Sequence, residues 1–175
     1  LAFGSTISEQ NGKKVSVGGD IRLSTPELQE SLILGILATG IDVVDLGLCP
    51  TGAQYFSHFH LEVDGGIMIT GSHNPSDYNG FKITAFKNNL FGADIQALYQ
   101  RIIQKNFVTG NGKRSSYPIL PSYIQDVKSK LKLNRPIKVV MDCGNGAAAL
   151  CVHEIFDTIP NLEVIHLFAD PDGRF

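Results

Sequence analysis

Short apolar runs alternate along this chain with longer stretches that are apolar on one side only. Lys14 to Gly18 is a β-type run. Ser24-Thr25-Pro26-Glu27 follows with an N-cap candidate, a first-turn proline and an acid that favours the positive end of a helix dipole. A helix is expected from there to about Thr39, with Leu28, Leu32, Leu34, Ile36 and Leu37 on one broad face and Gly40 as its stop. Asp42 to Leu46 reads as a strand, Pro50 to Phe59 as a helix and Gly66 to Thr70 as a third strand. This rhythm predicts an α/β fold: a three-layer mixed, largely parallel sheet with helices on both faces. Ligands collect at the carboxyl ends of the strands in such sheets.

Phe81 to Phe86 is a further strand, and Asp94 to Lys105 is a helix with Ile95, Leu98, Ile102 and Ile103 facing inward. Asn106 to Tyr117 has the glycine, asparagine, lysine and serine content of a surface loop. A helix from Ser122 to Leu131 leads to Asn134-Arg135-Pro136, which divides a first domain, 1–134, from the start of a second α/β unit, 135–175. That unit is expected to hold strands Ile137 to Met141 and Glu163 to Phe168 around one helix, Asn145 to Ile159. Two strands make a poor core by themselves.

With 43% apolar residues in 175 the chain can build a core. Its net charge of −2 and lack of a lysine or arginine stripe give no footprint for nucleic acid. The longest apolar runs fall short of a membrane span, so no membrane partner is expected, and the cytoplasm is the expected compartment. Cys49, Cys143 and Cys151 have no metal-ligand spacing and are expected to be reduced thiols without assigned function. His58, His60, His153 and His166 likewise lack mutual spacing for a metal site.

The most informative stretch is Gly65 to Ile83, an apolar strand that runs into Gly71-Ser72-His73-Asn74-Pro75 and returns through Asn79-Gly80-Phe81-Lys82. Gly71, Pro75 and the Asn79-Gly80 turn pair specify a tight loop with Ser72 at its tip. Thr70 to Pro75 followed by Tyr78 to Lys82 resembles the active-site serine loop of the α-D-phosphohexomutases, in particular the phosphomannomutase/phosphoglucomutase branch. Three more segments match in the same order: Val17 to Ser24, Asp45-Leu46-Gly47 with Pro50-Thr51, and Val140 to Ala147. Gly19 departs from this pattern where the family usually has a basic residue, and Gly52 where it usually has a second proline. Leu1 to Gly4 opens the chain without the family's upstream entrance segment, so the resemblance implies a fragment.

The same resemblance implies a function. Ser72 would carry a phosphoryl group, exchanged with a hexose 1-phosphate or 6-phosphate through a 1,6-bisphosphate intermediate. His73 would belong to the proton-handling neighbourhood, and Lys82 would offer a compact positive charge to the phosphoryl group. Asn74, Asp20 and Arg22 would stand near the phosphate, with Asp20 and Arg22 also able to order the loop and Asn74 satisfying backbone groups with its amide. Mg2+ would be held partly by the phosphate on Ser72 and otherwise by carboxylates outside this chain, with hexose 1,6-bisphosphate as activator. The implied partners are a phosphosugar and the remaining domains of the same protein, so the chain alone is expected to be inactive.

A rival motif is Gly144-Asn145-Gly146-Ala147-Ala148-Ala149, which satisfies Gly-x-Gly-x-x-Ala between a strand and a helix, with Asp170 placed to meet a ribose. It supports a dinucleotide-binding domain as the alternative; a non-catalytic binding domain is the third reading. Asp170 to Arg174 superficially suggests a carboxylate metal loop but better matches a family segment that lies upstream of the magnesium loop.

Overall fold

The computed structural model describes residues 1–175. At its centre lie β1 (Lys14–Gly19), β2 (Asp42–Leu48) and β3 (Gly65–Ile69), with β1 in the middle and parallel to both neighbours. Every residue of β3 is buried, as expected of a strand covered on both faces. β4 (Phe81–Ala85) runs antiparallel beside β3, and β5 (Asn88–Asn89) beside β4. β6 (Arg114–Ser116) adds a parallel edge next to β2, giving the order β5-β4-β3-β1-β2-β6.

Alternation along β1 assigns the layers. Val15 and Val17 point to one face, where Phe3 and Ile7 of α1 (Ala2–Glu9) and Ile33 and Ile36 of α2 (Thr25–Leu37) close over them. On the other face α3 (Thr51–His60) and α5 (Leu120–Lys130) cover Val44, Leu46 and Met68. α4 (Ala93–Ile103) rests on α1. The three-layer, largely parallel architecture is the one that the hydrophobic pattern implies.

Several details differ from that pattern. α1 has weak helix-forming sequence, and it is Phe3 and Ile7, one turn apart and buried in the core, that hold it. In α2 the buried apolar residues are Ile33 and Ile36, whereas Leu34 is 56% exposed on the far side. In α4 only Leu98 is buried; Ile95, Ile102 and Ile103 are exposed because this helix leans on α1 and does not sit over the sheet. Within the expected Asn106–Tyr117 loop, three residues form β6. Their side chains are all exposed, so the strand exists through its backbone pairing with β2, to which an apolar pattern is blind. Arg114 adds an ion pair to Asp45 of β2 at 2.6 Å and one to Glu30 of α2 at 2.7 Å.

β7 (Ile137–Asp142) and β8 (Leu162–Leu167) form a separate parallel pair. The expected single helix between them is broken into a 3-10 turn, Ala147–Leu150, and α6 (Val152–Phe156). Ala149 and Cys151 are both buried, yet in a continuous α-helix they would stand about 200° apart. The break at Cys151, where φ is −143°, lets both face inward. Cys151 and Ile155 then pack against Ile124 of α5.

A small polar cluster is enclosed beneath α3. Gln54 Nε2 donates to Ser16 Oγ at 3.3 Å and meets His58 Nε2 at 3.1 Å, and Ser57 Oγ donates to Ser16 Oγ at 2.8 Å. Burial lowers the His58 pKa below the usual histidine range. The unfolded chain therefore takes up the proton first as pH falls, so His58 leaves stability intact above the ordinary histidine pKa and removes it as pH drops toward the depressed folded value. Melting the protein at pH 8 and pH 5 is expected to show a smaller acid loss in His58→Gln than in the parent. An equal loss in both would remove His58 as the cause.

Candidate active site

The carboxyl ends of β1, β2 and β3 open onto one cleft of about 710 Å3. From β1 comes Asp20 with Arg22, from β2 Pro50 and Thr51, and from β3 Thr70 and the loop bearing Ser72. β4 starts at the same edge and brings Lys82, which pairs in register with Met68. The chain leaves β1 toward β2 on one side and returns to β3 on the other. The cleft is therefore at the point where the strand order reverses, where ligands bind in open α/β sheets.

Arg22 organises the loop. Its side chain is buried, and all five guanidinium N–H groups have acceptors. Nε donates to Asp20 Oδ2 at 3.1 Å. Nη1 donates to the carbonyls of Pro75 and of Tyr78, the latter at 2.8 Å. Nη2 donates to the carbonyls of Ser72 at 3.1 Å and Asn74 at 2.9 Å. Gly71 makes this possible, because an added Cβ would lie 2.5 Å from Arg22 Cζ and 2.7 Å from the Tyr78 carbonyl oxygen. Phe175 closes the other side, its ring centroid 5.0 Å from Arg22 Cζ.

Asp20 is fixed in turn. Its Oδ1 accepts from the Arg22 backbone N–H at 3.1 Å and from Thr25 Oγ1 at 3.0 Å. Asn79 ties the returning arm of the loop to the start of α2, donating to Ser24 Oγ at 3.0 Å and Thr25 Oγ1 at 3.1 Å while its Oδ1 accepts from Gly80 N–H at 2.9 Å. The sequence identifies Asn79-Gly80 as a turn pair and misses this bridge, which depends on a residue more than fifty positions away. It also gives no sign that Phe175 would cover Arg22.

Held in this way, Ser72 takes φ +55°, a conformation that serine rarely adopts. Its N–H donates to Thr70 Oγ1 at 3.0 Å, while its side chain is exposed in the cleft and makes no hydrogen bond to the loop. His73 and Asn74 follow on the same wall, both exposed. Asn74 stabilises the loop through its main chain, its N–H donating to the Gly71 carbonyl at 3.0 Å, and not through the side-chain amide as expected. Arg22 lines the same cleft, but with every N–H committed to Asp20 and the loop carbonyls it has no donor left to offer an anion. Lys82 has no ion-pair partner and is half-buried at the mouth.

The facing wall is made by Cys143, Gly144, Gly146, Ala147 and Phe175. Burial and the Asp142 carboxylate raise the Cys143 pKa, which keeps it a thiol. Cys49, buried beneath β2, is pushed up to about 12. The glycine turn is not built like a dinucleotide site. A four-residue 3-10 turn stands where such a site has a regular helix aimed at the pyrophosphate, and Asn145 Nδ2 is used in holding the Asp170 carbonyl at 2.8 Å. Asp172 pairs with its neighbour Arg174 at 2.9 Å.

The model for phosphoglucomutase/phosphomannomutase, alpha/beta/alpha domain I, matches residues 1–109. The chain is 44% identical over 174 residues to a phosphomannomutase/phosphoglucomutase of Pseudomonas syringae pv. tomato, covering 99% of itself and 37% of that protein. It is 35% identical to a phosphoglucomutase of Neisseria meningitidis serogroup A, again with 99% of the chain and 38% of the relative aligned. A crystal structure of a phosphoglucomutase/phosphomannomutase family protein from Burkholderia thailandensis superposes with a TM-score of 0.92 at 40% identity, covering 99% of this chain and 39% of that one. The chain thus spans little more than a third of the length of these relatives.

Replacing Arg22 leaves Asp20 buried without its counter-charge and the carbonyls of Ser72, Asn74 and Tyr78 without donors, while Pro75 keeps only the Tyr78 N–H. Arg22→Gln is expected to cost about 3–5 kcal/mol in chemical denaturation. In Arg22→Lys, whose ammonium cannot span the same acceptors, hydrogen exchange at residues 72–80 should accelerate; unchanged exchange there would show that the loop holds itself.

Proposed function

The chain belongs to the phosphoglucomutase/phosphomannomutase family, and from that premise we propose that the protein of which it forms part interconverts hexose 1-phosphate and hexose 6-phosphate, with Ser72 as the phosphoryl carrier. The observation that carries this reading is the Ser72 hydroxyl, free of the loop's hydrogen bonds and presented to an open cleft by a backbone held at φ +55°. Phosphorylated Ser72 gives its phosphoryl group to the sugar phosphate; the bisphosphate turns over and returns its other phosphoryl group to Ser72. Phosphoryl transfer depends mainly on positioning and charge neutralisation.

The roles divide by what each side chain has left to offer. Lys82, unpaired, faces the phosphoryl group. His73, next to Ser72 on the cleft wall, serves the proton transfers that a neutral serine needs when it is the acceptor. Asn74 stands beside the phosphate, while Asp20 and Arg22 act on Ser72 through the loop and not on the ligand.

Asp20 is the one carboxylate among the cleft-lining residues, and Arg22 and Thr25 already occupy it. This chain therefore fits Mg2+ only through oxygens of a phosphate on Ser72, with carboxylate ligands to come from elsewhere in the protein. When bound, the ion would offset phosphate charge. We assign hexose 1,6-bisphosphate as the activator that loads Ser72.

On the same reading 1–134 is a first domain and 135–175 the beginning of a second. One face of the β7–β8 pair leaves Val140, Ile165 and Leu167 exposed, a surface suited to the rest of that domain. No helix is long and apolar enough to cross a membrane. The free Cys49, Cys143 and Cys151 support a cytoplasmic location.

Incubation of the full-length protein with a hexose 1,6-bisphosphate and Mg2+ should place one phosphoryl group on the peptide containing residues 70–82. Ser72→Ala should abolish that label and lower turnover by about a thousandfold or more while the fold persists. A folded parent protein that stays unlabelled at Ser72 would overturn the assignment. The 175-residue chain alone is expected to show no turnover, because it lacks the carboxylate ligands.

A further inference from the structure

Away from the cleft, the second unit brings together three side chains that the sequence gives no reason to associate. His153 lies in α6, Asp157 caps the C-terminus of that helix one turn later, and His166 stands on β8. The Asp157 carboxylate spans the two rings, Oδ2 lying 3.0 Å from His153 Nδ1 and Oδ1 2.5 Å from His166 Nε2. The ring centroids are 4.0 Å apart, and the three nearest donor atoms all lie within 4.8 Å of one another. Histidines without metal spacing along the chain acquire it because β8 runs beside β7 and carries His166 under α6.

We propose that His153, Asp157 and His166 form a binding site for a borderline divalent transition-metal ion of the Zn2+ type, which clips α6 to β8. Two imidazoles and one carboxylate favour such an ion over Mg2+ or Ca2+, which prefer all-oxygen shells. Around a tetrahedral ion with bonds of about 2.0–2.1 Å, donors stand about 3.3 Å apart. The observed spread contracts to that when the His153 ring and the Asp157 carboxylate, whose side chains are 53% and 46% exposed, turn toward the ion. His166, at 14%, is the fixed member. In the empty site Asp157 Oδ1, 2.5 Å away, holds a proton on His166 Nε2, which the ion displaces; the ring proton then moves to Nδ1, which is buried and has no other hydrogen-bond partner. Three protein ligands leave a fourth position for water.

The chemistry differs from that of the proposed Mg2+ site, and the two can be measured apart. Full-length protein is stripped with a chelator, supplied with excess Mg2+ and titrated with Zn2+ by calorimetry, then with Co2+ by visible absorption. One Zn2+ equivalent, a rise in Tm with Zn2+ and the d–d bands of four-coordinate Co2+ are expected. His166→Gln should abolish all three, and the exposed His153→Gln should weaken Zn2+ by about tenfold or more, with circular dichroism and mutase turnover in Mg2+ unchanged. Zn2+ stoichiometry, affinity and Tm response the same in His153→Gln as in the parent, or no Zn2+ binding by the parent, would overturn the proposal.

Discussion

The buried guanidinium of Arg22 is the interaction on which the serine loop depends. A loop whose carbonyls at Ser72, Asn74, Pro75 and Tyr78 converge inward would repel itself unless one group satisfied them together. Arginine does this because its donors are fixed in a plane and spread over several ångströms; a lysine ammonium concentrates its three at one point. The arrangement needs Asp20 as well, since an unpaired buried cation would lose more in desolvation than the carbonyls return. Asp20 is locked by Thr25, and Thr25 by Asn79, so β1, the start of α2 and both arms of the loop form one connected polar network. Such networks are rigid when every member is satisfied.

That rigidity accounts for Ser72. A left-handed serine costs on the order of 1–3 kcal/mol, and the bonds around it must overcome that cost. The result is a hydroxyl whose position is set by the sheet and not by its own hydrogen bonding. Catalysis by positioning needs a nucleophile that does not have to be reorganised at the moment of transfer. The strand order contributes too: β1 at the centre and β3 beside it bring Asp20, Arg22, Thr70 and Ser72 to one edge, though some fifty residues separate the two pairs in the chain.

The fold was legible where burial on both sides leaves an apolar record, as in β1, β2 and β3, and where a first-turn proline marks a helix, as at Pro26; Ser24 makes no cap bond, its hydroxyl accepting from Asn79. It was hidden where backbone pairing or a tertiary contact decides. β6 has exposed polar side chains and exists only as an edge; α1 is a helix because Phe3 and Ile7 find the core; α4 has the apolar residues of a core helix, but lies where only Leu98 can be covered. At the site, Ser72 and Lys82 were visible as local sequence. The use of every Arg22 donor, the Asn79 bridge and the convergence of His153 and Asp157 with His166 required three-dimensional neighbours that no local pattern encodes.

The same network explains why position 19, where the family resemblance leads one to expect a cation, carries a glycine. Gly19 is the last residue of β1, buried, and the space where its Cβ would stand is taken by the Thr25 methyl, with Gln29 Oε1 3.0 Å from that position. Thr25 cannot move aside without releasing Asp20 and Asn79, and Gln29 is itself engaged, donating to Asp45 Oδ1 at 2.6 Å. A long basic side chain at Gly19 and this packing of Thr25 are therefore mutually exclusive. With Arg22 already saturated, the local positive charge toward the cleft rests on Lys82. The substitution is thus coupled to the loop-ordering machinery and is not an isolated loss of charge.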